Sequence, residues 1–434
     1  MREMKDSGIE WIGEIPNDWD ISKIKFVADF EPTCNLENIS PEDRIAYAPM
    51  ECIKQGFYEA RDALYEELSH SLTPFQNGDI VMAKVTPCFE NGNIAIMNEL
   101  PSGIGLGSSE LFVFRAKNIV AKYLFYWLQN SDFIQRACST MTGVGGLKRV
   151  SPFFCKNCEI HIPLYNEQCR ITAYLDRKCS QIDAIIARQQ EVIEKLKAYK
   201  LSVITEAVTK GLNPDVPMKD SGVEWIGEIP EHWVLIKATR IIISTQNGLT
   251  RRDLDKSTGQ IVLKLRNISS AGEIDYEYQN RIELTKQELD TYRLKEGDFL
   301  FVRVNGSKSL VGKCAIFHSI GEDVAYNDHI IRVRISEKCM EKFFFWYLLS
   351  ICGKTEIDLH TSTSAGQYTI SGEGLRDIRL VLPPKTEQLE IDAHLSKICN
   401  SIDKIILQKQ TSIDKLTAYK KSLIYEVVTG KKEV

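Results

Sequence analysis

The chain has 434 residues, 43% of them hydrophobic and 26% charged, with 54 Lys+Arg against 59 Asp+Glu for a net charge of −5. That is the make-up of a globular protein of two to three domains, at about 150 residues each. It excludes a uniformly basic nucleic-acid coat, though not a local basic surface. No apolar run reaches the ~18 residues of a membrane span, the polar segment Met1 to Gly8 is no secretory signal, and twelve scattered cysteines in a chain this long point to free, mostly buried thiols in a reducing cytoplasm.

The first element in chain order is a box, residues 4–19, reading MKDSGIEWIGEIPNDW; residues 218–233 read MKDSGVEWIGEIPEHW. Thirteen of the sixteen positions are identical, so the chain contains an internal repeat. A variable region, 20–165, follows the first box. In it, Gly78-Asp79 launches the apolar strand Ile80–Lys84, Gly92 to Met97 gives another, and Leu111–Arg115 a third. The aromatic run Tyr123–Leu128 reads as a helix that is apolar all round, hence core. The region closes on a small-residue loop, Thr142-Gly143-Val144-Gly145-Gly146-Leu147-Lys148-Arg149, of the kind that lets backbone approach a ligand.

A tail, 166–211, comes next. From Glu167 to Thr209 it holds no Pro or Gly, and apolar residues at Ile171, Leu175, Ile182, Ile185, Val192, Leu196, Tyr199 and Val203 fit heptad a and d positions. Pro163 stands before it and Gly211 after it. The spacing predicts one helix of about 60 Å at ~1.5 Å per residue. The second half repeats this order: box 218–233, variable region 234–385 with Gly297-Asp298, strands Phe299–Arg303, Gly312 to Phe317 and Ile330–Arg334, aromatic helix Phe343–Leu348 and small-residue loop Thr361–Tyr368, then tail 386–434 with Ile391, Leu395, Ile398, Ile402, Ile405, Leu416, Tyr419 and Leu423. Two striped helices need partners, and pairing with each other, antiparallel, is the economical solution. Gln189 and Lys409 fall in the expected seam and set its register. The order is circularly periodic, which suggests termini that approach each other in a pseudo-twofold molecule. Region 20–166 has 13 basic and 17 acidic residues, region 234–386 has 22 and 19, so the two halves present differently charged surfaces.

Catalytic and metal motifs fail on context. Cys155-x-x-Cys158 with His161 resembles part of a zinc site, but the copy has Leu375, Ile378 and Val381 there, so buried thiols are expected. Gly103-x-Gly105-x-Gly107 precedes a strand rather than the helix that a dinucleotide loop requires. There is no GxxxxGK[ST] loop, Asn213-Pro214-Asp215-Val216 lacks the second Pro and the aromatic of an amino-methyltransferase motif, and Asp79 with Lys84 lacks the rest of a nuclease core. The chain reads as non-catalytic.

The twice-repeated DSG[IV]EWIGEIPxxW box, the GD-strand of each variable region and the P-x-x-x-EQ start of each long tail together resemble the specificity subunit of Type I restriction–modification enzymes, over essentially the whole chain. The resemblance implies an α+β fold: two mixed, strand-rich target-recognition domains in pseudo-twofold repeat, separated by an antiparallel coiled coil of two long helices. The domains are then 1–165 (variable part 20–165) and 212–385 (variable part 234–385), with the helices at 166–211 and 386–434. It further implies that each recognition domain reads one half of a bipartite, asymmetric site in double-stranded DNA and that the helix pair sets the gap. By the same resemblance, two modification subunits are expected to methylate adenine with S-adenosylmethionine and restriction subunits to supply ATP/Mg-dependent cleavage, while this chain is expected in the cytoplasm with no cofactor, metal or membrane contact of its own. A ~60 Å ruler exceeds one DNA turn of ~34 Å.

The candidate DNA contacts are polar and basic residues at strand ends and glycine loops: Lys84, Thr86, Asn91, Lys148 and Arg149 in the first half, and Arg251, Arg252, Arg303, Asn305, Lys308, Gln367 and Tyr368 in the second. Trp11, Ile12, Trp19, Trp225, Ile226 and Trp233 are expected as core anchors. Two other readings stay open: a coiled-coil scaffold without sequence specificity, and a self-sufficient methyltransferase or nuclease.

Overall fold

The computed structural model describes residues 2–59, 61–69, 71–251, 258–269, 272–364 and 366–434. The chain forms two compact units, Met1–Gln190 with Gln410–Val434, and Glu191–Lys409. Both long helices pass from one unit into the other, at Tyr165–Lys210 (46 residues) and Lys385–Val428 (44 residues).

In the first unit, the sequence-predicted strands Ile80–Ala83, Ile94–Ile96 and Leu111–Ala116 join Ala28–Phe30 in one antiparallel sheet, in the order 28–30, 111–116, 80–83, 94–96. A second sheet runs Arg61–Leu64, Arg44–Ala48, Ile104–Gly107, Thr73–Gln76, with one parallel pair at its centre. The second unit repeats the plan. Ile242–Asn247, Ile330–Ile335, Phe299–Val302 and Cys314–Ile316 form the antiparallel sheet. Arg281–Ile282, Gln260–Leu263 and Val324–Tyr326 form the second sheet, again with a parallel pair. The first aromatic helix packs as expected, with Tyr123 to Trp127 all buried; in the second, Phe343, Phe344, Tyr347 and Leu348 are buried while Phe345 and Trp346 are half-buried.

Gly105 and Gly107 act in packing. A Cβ on Gly105 would lie 2.3 Å from the Phe75 ring, and one on Gly107 2.7 Å from Leu111. The run is a strand thinned to pass beneath an aromatic ring, the close approach that only glycine permits.

Each Gly-Asp turn buries its aspartate against an arginine of the neighbouring strand. Asp79 takes two bonds from Arg115, Nε–Oδ1 and Nη2–Oδ2 both at 2.8 Å, and Asp298 takes two from Arg334 at 2.6 and 2.9 Å. Backbone N–H groups of Gln76 and Lys295 complete the carboxylates at 2.8 Å. A buried carboxylate requires such full satisfaction, so this pair locks turn to sheet in both units.

The boxes and the long helices are joined by tryptophan. Trp19 is 1% exposed, and its Nε1 donates to Glu167 Oε2 at 3.0 Å; Trp233 is fully enclosed and donates to Glu387 Oε2 at 2.9 Å. The next residue of each Glu-Gln pair ties down the strand-to-helix connection. Gln168 Oε1 accepts from Val120 N and Gln388 Oε1 from Met340 N, while their amides donate to the carbonyls of Pro163 and Pro383. Trp19 also meets the far end of the other long helix: Gly430, at φ +75°, would bring a Cβ to 2.5 Å from Pro16 and 3.3 Å from the Trp19 ring. A Cβ on Gly211, at φ +76°, would likewise fall 3.2 Å from the Trp233 ring. Glycine is required at these positive-φ helix ends. Ile12 and Ile226 are buried, whereas Trp11 and Trp225 are half-buried under the guanidiniums of Arg136 and Arg379, at 4.6 and 4.5 Å.

In the first unit, Glu167 and Gly430 meet at Trp19 while Asp183 meets Lys420 at 2.7 Å, so the two helices run antiparallel. In the second, Glu387 and Gly211 meet at Trp233 and Lys200 meets Asp403 at 2.6 Å, with the same result. The buried stripe differs from the expected one. Ile185, Tyr199, Ile405 and Tyr419 are exposed, and Cys179, Ile193, Cys399 and Ile413 are buried instead. The doublets Ile185-Ile186 and Val192-Ile193 allow either register by spacing. The observed one places Lys200 and Lys420 beside the seam, where their stems cover apolar surface and their ammonium groups reach Asp403 and Asp183. Gln189 and Lys409 are half-buried, and Gln189 Oε1 is enclosed without a hydrogen bond.

Cys155 and Cys158 are buried, and burial raises both thiols, Cys158 to about 12. His161 Nδ1 accepts from Trp127 Nε1 at 3.0 Å. Burial, with a smaller contribution from Lys431, lowers its imidazole from 6.5 to about 4. No group of three or more His, Cys, Asp and Glu suited to a metal is found among the described residues. No helix among them is long and apolar enough to cross a membrane.

Two measurements test this framework. Asp79→Ala leaves the Arg115 guanidinium without its partner and is expected to cost the first unit about 3 kcal/mol. Arg149→Gln, which breaks a solvent-exposed pair with Glu110, is expected to leave the urea midpoint almost unchanged; urea denaturation of both variants checks the contrast. The folded state also refuses a proton at His161 that the unfolded chain accepts below about pH 6.5. The stability that this group contributes is therefore fully present above that pH and is lost as pH falls toward 4, by up to ~1.4 kcal/mol per pH unit. His161→Gln keeps an acceptor for Trp127, so its urea midpoint should fall less between pH 7 and pH 4.5 than that of the parent.

Candidate nucleic-acid interface

Each small-residue loop is a β-hairpin. In the first unit, Thr142–Val144 pairs with Leu147–Arg149, and Gly145 and Gly146 form the two-residue turn at φ +65° and +84°. Two successive positive φ values fit a type I′ turn, whose twist matches the strands and which favours Gly-Gly. Gly143 is needed for a second reason, since its Cβ would fall 2.1 Å from the Leu147 carbonyl oxygen. Every residue from Thr142 to Arg149 is exposed.

The hairpin docks beside the end of strand Ile80–Ala83. Val85 bridges Arg149, Thr86 N donates to the Lys148 carbonyl, and Thr86 Oγ1 accepts from Lys148 N at 3.0 Å and donates to the Gly146 carbonyl at 2.8 Å. Thr86 is thus a hairpin anchor with its hydroxyl already engaged. Lys84 lies with its Nζ 5.3 Å from the Phe112 ring centre. Arg149 makes a two-pronged pair with Glu110 at 2.6 and 2.8 Å, which holds the Glu110 carboxyl below its usual range. Four of the five sequence candidates, Lys84, Thr86, Lys148 and Arg149, are therefore brought together. Asn91 lines a cleft of about 340 Å³ with Gln55, Gln129, Ser131, Lys420 and Lys421.

In the second unit, Thr361–Ser364 pairs with Gln367–Ile370, and Val304–Asn305 adds a third strand. Asn305 stands opposite Tyr368. Arg303 precedes this strand, accepts a bond from Ile370 N at its carbonyl, and donates from Nη1 to the Asp328 carbonyl at 2.9 Å. Lys308 lies 3.7 Å from Asp358. Arg303, Asn305, Gln367 and Tyr368 are so joined on or beside one small sheet, with Lys308 close behind in sequence. Arg251 instead binds Glu288 and the Glu283 carbonyl, in the first turn and approach of helix Lys286–Tyr292. Arg252 lies outside the described residues.

Sequence reasoning overlooked the exposed apolar pair at the first hairpin tip, Val144 and Leu147, and the hydroxyls of Ser362, Thr363 and Ser364 at the second. A Gly-Gly dipeptide between Val144 and Leu147 was the available signal, since it is a hairpin turn by composition.

Comparison with known proteins agrees with the repeat. The family model described as Type I restriction modification DNA specificity domain matches residues 16–195 and 251–415. The chain is 22% identical over 428 residues to the Type I restriction enzyme EcoKI specificity subunit of Escherichia coli K12, covering 96% of this chain and 90% of that one. It is 24% identical over 436 residues to the Type I restriction enzyme MjaVIII specificity subunit of Methanocaldococcus jannaschii, covering 96% and 93%. A chain from a structural study of complex assembly and conformational transition in the type I R-M system matches with a TM-score of 0.70 at 16% identity, over 96% of this chain and 99% of that one. That last likeness is one of fold. Two matched segments that span most of both halves, each with its own sheets and hairpin, make this chain a member of the Type I restriction–modification specificity-subunit family.

Proposed function

We propose that this chain is the non-catalytic DNA-recognition subunit of a Type I restriction–modification complex. Each unit reads one half of a split, asymmetric site in double-stranded DNA. The observation that carries the reading is the pair of hairpins set on like frames with unlike exposed side chains: Val144, Leu147, Lys148 and Arg149 on one, Ser362, Thr363, Ser364 and Gln367 on the other. A two-stranded ribbon of this kind fits the major groove, where base edges differ. The two long helices act as an antiparallel ruler between two pseudo-twofold-related recognition domains and fix the gap between half-sites. Their 46 and 44 residues correspond to about 69 and 66 Å at ~1.5 Å per residue.

Two modification subunits, carrying S-adenosylmethionine, methylate adenine at the site, and restriction subunits with ATP and magnesium cleave. The complex works in the cytoplasm. The net charge of −5 suits a subunit whose partners share the phosphate contacts.

Co-expression of this chain with its modification subunit, followed by sequencing of host DNA for N6-methyladenine, tests the reading. The expected result is methylation at one motif made of two specified segments around a fixed unspecified gap. A stable complex that methylates no motif would contradict it and favour a scaffold.

A further inference from the structure

The two hairpins differ at their tips in more than charge. Beside the turn glycine Gly366, the described side chains near the tip of the second, Ser362, Thr363, Ser364 and Gln367, bear hydroxyls or an amide. At the first, Val144 is 88% and Leu147 55% exposed. Register sets these two opposite each other, so they lie side by side on one face of the ribbon. Thr142 and Arg149 are the next pair on that face, and Lys148 opposite Gly143 lies on the other.

This apolar pair adds little to the fold as it stands, because its surface remains in water. It gains stability only when something covers it. The hairpin also carries two cationic residues within two positions of Leu147, which favours a polyanion as the covering partner. On the edges of DNA bases in the major groove, the apolar feature is the 5-methyl group of thymine.

We propose that Val144 and Leu147 read thymine, through its 5-methyl group, within the half-site taken by the first unit. The second hairpin reads its half-site through hydrogen bonds from Ser, Thr and Gln side chains. The inference rests on the DNA-recognition reading above and assigns the chemistry by which each half-site is recognised.

The test uses the full chain assembled with its modification subunits and duplexes bearing the motif that the complex methylates. Each thymine is replaced in turn by deoxyuridine, which removes only the methyl group, and affinity is measured by fluorescence anisotropy. In the half-site of the first unit, at least one replacement should weaken binding about four-fold, the worth of burying one methyl. In the double variant Val144→Ser, Leu147→Ser, thymine and deoxyuridine duplexes should bind alike, with an unchanged thermal midpoint because both positions are exposed. In the second half-site, deoxyuridine should change affinity less than two-fold.

A first half-site without thymine on either strand would overturn the inference. So would affinity indifferent to every deoxyuridine, or a deoxyuridine effect that persists in the double variant. If the double variant loses affinity while the parent ignores deoxyuridine, the pair acts as a wedge between base steps, and thymine reading is wrong. Absence of any methylated motif or sequence preference is a different failure: it removes the recognition reading itself, and this inference with it.

Discussion

Two indole N–H groups bonded to two carboxylates hold this molecule to its plan. Trp19 joins Glu167, at the start of one long helix, and packs on Gly430, just past the end of the other. Trp233 does the same with Glu387 and Gly211. Each tryptophan fixes a helix start, a helix end and a box at one point. The circular order of the sequence follows from that constraint. A box must lie beside the C-terminal end of a long helix. The second box reaches one because it follows Gly211 in the chain; the first reaches one because Gly430 returns to it. Glycine at both helix ends and the Glu-Gln pair at both helix starts are parts of the same joint.

With the joint fixed, the recognition surfaces are free to differ. The buried pairs Asp79–Arg115 and Asp298–Arg334 are laid down identically in the two units, bidentate and completed by a backbone donor. They are expensive to disturb. The hairpin tips beyond them are exposed; the first hairpin is held by backbone pairing, the Thr86 hydroxyl and the Arg149–Glu110 pair, and Val144 and Leu147 at its tip support nothing in the fold. Such a division places stability in the frame and leaves chemistry to the ribbon, as expected where one architecture must present two unlike surfaces.

Much of this was legible in the sequence, for identifiable reasons. The repeat of boxes and tails needs only comparison of the chain with itself. Two helices of more than forty residues show through because Pro and Gly are absent between Glu167 and Thr209. Seam register was not legible: Ile185-Ile186 and Val192-Ile193 satisfy either stripe, and the choice falls to Cys179, Ile193 and the reach of Lys200 to Asp403. The Asp79–Arg115 pair was half visible. Both residues were noted at a turn and at a strand end, but only sheet order brings them together. At the recognition surface, polarity was a partial guide. Of the residues it picked out, Lys148, Arg149, Gln367 and Asn305 lie on the hairpin sheets, while Asn91 and Arg251 lie apart from them; Val144 and Leu147 were passed over because polarity ignores apolar side chains, and only the Gly-Gly turn between them marked the place.

The central claim is that one frame carries two independent readers, and exchange of one reader tests it most directly. Residues 20–165 would be replaced by the corresponding segment of another specificity subunit with a different site, and the methylated motif of the resulting complex determined. The account predicts that one half of the motif changes while the other half and the gap between them stay as they were. A change in both halves, or in the gap, would contradict it.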